Sequence, residues 1–170
     1  FADFEYDSTD PGIDLVQIAA GQLVFVFDTY IFADVLSYRT LGDPGNTGEN
    51  QAFVPTLRHW FEMPGVRVVV QSCDNDIRHL RHYGVQVEDA FDTCVADAVL
   101  TGSGGRNLLA LVEHYLPHHH MTLKACFKHF RGCFKRRPLP PEVIVYAWQD
   151  VADGPMLYRT MLGLLTECAL

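Results

Sequence analysis

The first 28 residues alternate in short, β-rich runs. Phe1–Tyr6 places apolar side chains against acidic ones, and Gly12–Ala20 and Gln22–Phe27 follow as two further runs. Thr9-Asp10-Pro11-Gly12 and Gly21 supply turns between them, so the pattern predicts three strands. Spacing this tight predicts an antiparallel meander, because parallel neighbours need long crossovers. A short helix is predicted at Ile31–Ser37, and then a Gly/Asn/Pro-rich loop, Gly42 to Glu49, which reads as the most mobile segment. Ala52–Met63 has helical spacing and is ended by Pro64-Gly65; Val66–Gln71 is a β-branched run of the kind found in buried strands. Asp74–Tyr83 reads as a helix with Ile77 and Leu80 facing inward, stopped by Gly84. From Asp92 onward the chain looks helical, over Thr93–Leu100, Asn107–Leu116, Met121–Phe134, Pro141–Val151 and Gly154–Ala169. Strands first and helices afterwards predict an α/β or α+β domain around a mixed sheet.

A chain of 170 residues is long enough for one domain with a real core, and 48% hydrophobic against 20% charged residues is a globular composition. The formal charge of −8 argues against a protein that coats nucleic acid through a broad basic surface. It leaves room for an enzyme that takes a few nucleotides at a metal centre, since bound cations reverse the local sign. The five cysteines form no CxxC pair and are odd in number, so they read as reduced thiols of an intracellular protein whose compartment is not specified. The longest apolar stretch, Leu15 to Phe27, is interrupted by Gln17, Gly21 and Gln22 and is too short to span a bilayer, so no membrane association is expected. The chain opens on Phe-Ala-Asp-Phe-Glu as though in mid-strand, which reads as one domain, 1–170, excised from a longer protein.

Chemistry enters with the positions of the acids. Asp3 and Glu5 are two apart on a predicted strand and therefore project from one face, while Phe4 points to the other. Asp76 lies at the start of a helix directly after a buried strand, where Asp74 and Asn75 would serve as caps equally well. Tyr146 and Asp150 are four apart on a helix, so phenol and carboxylate share a face. Each feature alone has an ordinary reading: a solvated strand face, a first-turn acid, a half-buried tyrosine with a surface aspartate.

Taken together, these segments resemble the DEDDy 3′–5′ exonucleases, the group of RNase D and the exonuclease domains of Werner helicase and Rrp6-type proteins. The resemblance runs through Asp3-Phe4-Glu5, then Leu15-Val16-Gln17-Ile18 and Leu23-Val24-Phe25-Val26-Phe27-Asp28. It continues with Val68 to Asp76-Ile77, Leu80 and Tyr83-Gly84, then Phe91-Asp92-Thr93-Cys94-Val95-Ala96-Asp97. It ends with Arg137-Pro138-Leu139-Pro140 and Tyr146 to Asp150. It covers essentially the whole chain in order.

The resemblance implies a ribonuclease H-like mixed β-sheet of about five or six strands flanked by helices. It also implies two Mg²⁺ or Mn²⁺ ions held by Asp3, Glu5, Asp76 and Asp150, hard cations matched to carboxylate oxygen. Asp3 would bridge both ions, Glu5 and Asp150 would hold the water-activating one, and Asp76 would act through the second. Tyr146 would orient the attacking water and places the chain in the tyrosine rather than the histidine subgroup. The implied activity is hydrolysis of single-stranded RNA, with DNA as the second choice, to nucleoside 5′-monophosphates. A second reading keeps the fold but not vigorous catalysis: a weakly active or inactive RNA- or protein-binding module of a larger assembly, as in Egalitarian- and EXD1-like proteins.

Two departures stand out. Gln71 occupies a position where many members carry a His, which points to a supporting role behind the ligands. The stretch Pro117–Arg137 differs from the usual sequence, and the Trp that commonly precedes Arg-Pro is absent. That stretch gathers 6 of the 13 basic residues on an acidic chain, interleaved with Phe127, Phe130 and Phe134. It reads as an amphipathic helix with a basic outer face, and Lys124, Lys128, Arg131 and Arg137 are the candidate nucleic-acid contacts. His118-His119-His120 with His114 reads as a solvated loop rather than zinc ligands, since adjacent loop residues seldom converge on one tetrahedral ion.

Overall fold

The computed structural model describes residues 1–6, 13–29, 53–119 and 133–168. The predicted helix Ile31–Ser37, the Gly42–Glu49 loop and all but the end of Met121–Phe134 lie outside the described residues, as do Lys124, Lys128 and Arg131. Strands β1 (Ala2–Tyr6), β2 (Ile13–Ala20) and β3 (Leu23–Asp28) form an antiparallel sheet in that order. Ala20 pairs with Leu23, leaving Gly21 and Gln22 as a two-residue hairpin turn. Gly21 has φ 63°, the positive value that a II′ turn requires at its first residue.

Helix α1 (Phe53–Phe61) follows, then β4 (Val68–Val70), α2 (Asp74–His82), β5 (Ala90–Asp92) and α3 (Thr93–Thr101). Helices α4 (Leu108–Tyr115), α5 (Pro141–Ala152) and α6 (Gly154–Cys168) complete the described chain. β4 and β5 pair in parallel, with Val69 opposite Phe91, and β4 lies beside β1. The mixed α/β architecture is therefore present, as five described strands in an antiparallel and a parallel group. Among the described residues no helix is long and apolar enough to cross a membrane.

The meander is covered on both faces. Ala2, Phe4 and Val16 pack with Leu57 and Phe61 of α1 and with Val68, Val70 and Leu80. From the opposite face Leu15 packs with Val143, Tyr146 and Ala147 of α5. Double coverage explains why β2 is buried almost throughout instead of alternating. A third cluster joins Ala96, Leu108, Leu111 and Val112 to Leu157 and Met161 of α6. Beside it the buried Asp97 is satisfied on one oxygen by Arg106 at 2.7 Å and by the Tyr115 hydroxyl at 2.8 Å.

Three details differ from the sequence reading. In α2 the buried residues are Asp76 and Leu80, with Ile77 only partly covered, because the helix turns its first-turn acid toward β1. Residues 133–135 form a turn instead of a helix end. β5 was not anticipated: three residues held by one parallel partner leave no periodic signal.

α5 passes into α6 through Asp153, and Gly154 is buried at that junction. A β-carbon built there would lie 2.1–2.5 Å from Phe1 side-chain atoms, so only glycine fits. Gly154→Ala should destabilise the fold by about 1–3 kcal/mol through overpacking, read as a lower urea midpoint with an unchanged slope.

Candidate active site

Strand alternation brings Asp3 and Glu5 onto the face covered by α5, and helical spacing turns Asp150 toward them. The carboxylate oxygens of Asp3, Glu5 and Asp150 that face one another all lie within 4.8 Å. Asp150 is 1% exposed, although it comes from a helix some 145 residues away in the chain. One helical turn before it sits Tyr146, 2% exposed, whose hydroxyl is hydrogen-bonded to the Asp150 carboxylate. Burial first, and then the negative charges of Asp150, Glu5 and Asp3, push the phenol far above its ordinary range. Tyr146 is therefore a neutral hydrogen-bonding group at any physiological pH.

Asp76 stands outside the three-carboxylate set but within its field. Burial, followed by the charges of Asp3 and Asp92, lifts its carboxyl to about 8. A carboxyl that holds its proton near neutrality in the bare protein reflects its burial first and the neighbouring negative charges second. The donors are all carboxylate oxygens, the chemistry preferred by hard divalent cations, and a cation here would relieve the crowding. The residues present thus suit Mg²⁺ or Mn²⁺.

The turn that delivers Asp76 is built by Asp92, a residue to which the sequence reading gave no role. Its carboxylate accepts the backbone N–H groups of Ser72 at 3.1 Å, Cys73 at 2.9 Å and Cys94 at 2.7 Å. It thereby caps α3 and ties down the start of α2 together. Ser72 has φ 61°, a left-handed conformation uncommon for a non-glycine residue, and the Asp92 contact holds it there. Burial raises the Asp92 carboxyl, but the Cys73, Cys94 and Ser72 donors outweigh it and hold the group below its usual range. The available signal was an Asp directly before a helix, the plain N-cap pattern.

Tyr6, next to Glu5, was also overlooked. Its ring lies over His79 with centroids 3.9 Å apart, its hydroxyl is hydrogen-bonded to Asn75, and the charges of Asp76, Asp3 and Glu5 all act on it. A register shift between Glu5 and Tyr6 re-aims this end of β1. Gln71 has its amide nitrogen 3.1 Å from Cys94 Sγ and 3.5 Å from the Arg106 carbonyl, so its hydrogen bonds brace the β4–α3 connection rather than a carboxylate. Arg137 donates to the Phe134 and Arg136 carbonyls and forms an ion pair with Asp28. These bonds make Arg137 a clasp between β3 and the approach to α5.

An antiparallel trio and a parallel pair of strands beside a helix that supplies an aspartate and a tyrosine give an α/β fold of the ribonuclease H-like type. The chain belongs to the 3′–5′ exonuclease family, which it matches over residues 2–165, and it is an exonuclease by that membership. The resemblance to 3′–5′ exonucleases read from the sequence is borne out by this match. Among solved structures, the chain is similar to the apo form of a nuclease at 19% identity and a TM-score of 0.74, over 99% of this chain and 73% of that one. It is also similar to the catalytic core of RRP6 from Trypanosoma brucei at 22% identity and a TM-score of 0.67. That match covers 92% of this chain and 38% of the other. Both likenesses concern the fold. No curated protein matches the chain.

Asp92→Ala should cost about 2–3 kcal/mol of stability in denaturant titration at neutral pH, through a lost cap and stranded N–H donors. Because the folded carboxyl is held below its unfolded value of roughly 3.9, that contribution is complete above about pH 4 and fades as pH falls through the folded value. The gap between wild type and variant should therefore close in acid.

Proposed function

We propose that the protein removes nucleotides one at a time from the 3′ end of single-stranded nucleic acid, RNA in preference to DNA, and releases nucleoside 5′-monophosphates. Asp3, Glu5, Asp76 and Asp150 hold two divalent cations in this reading. The observation that carries it is the convergence of Asp3, Glu5 and Asp150 within 4.8 Å, with the Tyr146 hydroxyl on Asp150. Two bound Mg²⁺ or Mn²⁺ ions would supply an activated water and stabilise charge on the leaving 3′ oxygen.

The chain's own residues do the rest. The Tyr146 hydroxyl donates to Asp150, which fixes its oxygen lone pairs, and these accept a hydrogen bond from the attacking water and orient it. A phenol already carries its proton at neutral pH and does not take the water's proton, so Tyr146 positions and does not act as a base. The water oxygen bonds to phosphorus as the bond to the 3′ oxygen of the preceding nucleotide breaks; the attacking water sheds a proton to solvent, and the leaving 3′ oxygen takes one up from it. The remaining strand then ends in a 3′ hydroxyl, ready for the next cycle. The preference for RNA rests on the likeness to the RNase D branch.

The test uses single-stranded RNA and DNA labelled at the 5′ or the 3′ end, with Mn²⁺, Mg²⁺ or EDTA. The 5′-labelled strand should shorten stepwise, the 3′ label should appear at once as mononucleotide, and EDTA should stop both. Asp3→Asn or Asp150→Asn should lower kcat/KM by roughly 10³-fold or more, corresponding to several kcal/mol of lost charge stabilisation. Tyr146→Phe should reduce kcat by about 10²-fold with little change in KM. Undiminished cleavage by an Asp3→Asn/Glu5→Gln protein in Mn²⁺ would remove the basis for the mechanism, and binding without shortening would point to a non-catalytic module.

A further inference from the structure

β2 carries Ile13, Asp14, Leu15, Val16, Gln17, Ile18, Ala19 and Ala20, and Gln17 is a fully buried polar side chain in the middle of this apolar run. It is paired in register with Asp3 on one side and Val26 on the other. Directly opposed residues of an antiparallel pair project from the same face, so the Gln17 side chain stands next to that of Asp3, on the face covered by α5. Among the described residues neither its amide oxygen nor its amide nitrogen has a hydrogen-bond partner. A primary amide offers two donors and two lone pairs, and leaving them empty in a protein interior is costly. Met would occupy nearly the same volume without that cost. Packing alone therefore gives no reason for glutamine at this position.

The neighbouring site supplies one. A hydrated cation held by Asp3 would bring water beside this amide, and water both donates to an amide oxygen and accepts from an amide N–H. We propose that Gln17 is a positioning residue of the exonuclease centre, its buried amide left open by the fold to bind water that enters with the divalent cation beside Asp3. The proposal rests on the metal-dependent reading above. Gln17 touches neither substrate nor the reacting phosphorus; it acts by fixing the surroundings of Asp3, as partners behind metal ligands do elsewhere.

This role has a signature that ordinary core packing lacks, namely opposite effects on the metal-free and the metal-bound protein. Thermal unfolding in EDTA and Mn²⁺ titration by calorimetry, both without nucleic acid, should be compared for wild type, Gln17→Met, Gln17→Leu and Asp3→Asn. Gln17→Met should raise the metal-free Tm by about 2–6 °C, because an unsatisfied amide is removed. It should weaken Mn²⁺ binding about 10-fold and lower kcat by a similar factor, with KM for the strand unchanged. Gln17→Leu lacks the amide but differs in shape, so agreement between the two variants assigns the effect to hydrogen bonding. Wild-type Mn²⁺ affinity in both variants overturns the proposal, as does a fall in metal-free Tm in both. If wild type itself binds Mn²⁺ no better than Asp3→Asn, the metal-centre reading fails, and this inference fails with it.

Discussion

Carboxylates repel one another, and most folds keep them apart on the surface where water screens them. Here Asp3, Glu5 and Asp150 are held with facing oxygens within 4.8 Å, and Asp76 is buried in the same field. At such distances in a partly dry site the repulsion amounts to several kcal/mol, large against the marginal stability of a domain. Something must hold the acids together before any ion arrives. The lifted Asp76 carboxyl shows part of the answer, since keeping a proton removes one charge from the cluster. The remainder is mechanical.

That mechanical part is divided among three supports. β1 is gripped by β2 along its length and lies beside β4, so Asp3 and Glu5 cannot spread. Asp92 collects three N–H groups from two turns and fixes the start of α2, from which Asp76 projects. α5 is pressed on the sheet by Val143, Tyr146 and Ala147, begins with Pro141 at a position suited to proline, and ends where Gly154 lets the chain pass close to Phe1. The ion pair between Arg137 and Asp28 joins the approach to α5 to the end of β3. Each support lies outside the carboxylate set, yet loosening any one would let the acids relax apart.

The parts of this design that obey a short period could be read from the sequence. Asp3 and Glu5 follow the strand period of two, Tyr146 and Asp150 the helix spacing of four, and both pairs lie on the expected elements. The three-strand meander was legible because its turns carry glycine and proline at close intervals. What escaped was non-local. β5 is a strand only because β4 is beside it, and Asp92 matters because two distant turns meet at its carboxylate. Ile77 outranks Asp76 on any hydropathy scale, yet Asp76 is the more deeply buried, because the site tolerates a buried acid where an ordinary core would not. Gln71, expected to support the site from behind the ligands, and Arg137, expected at the nucleic acid, both make hydrogen bonds to the scaffold. Residue type alone cannot make that distinction.

The overall charge then takes on a specific meaning. A chain of net charge −8 that gathers Asp3, Glu5 and Asp150 at one site repels a phosphate backbone strongly where, on the proposed reading, cleavage occurs. On the proposed reading, the cations must reverse the local sign before the substrate's end can settle, so metal loading governs binding as well as chemistry. A buried amide beside Asp3 that is satisfied only in the loaded state would favour that order of events. On that reading the fold holds the acids against their repulsion, a cation would relieve it, and the 3′ end of the strand would meet a site whose charge has already changed sign.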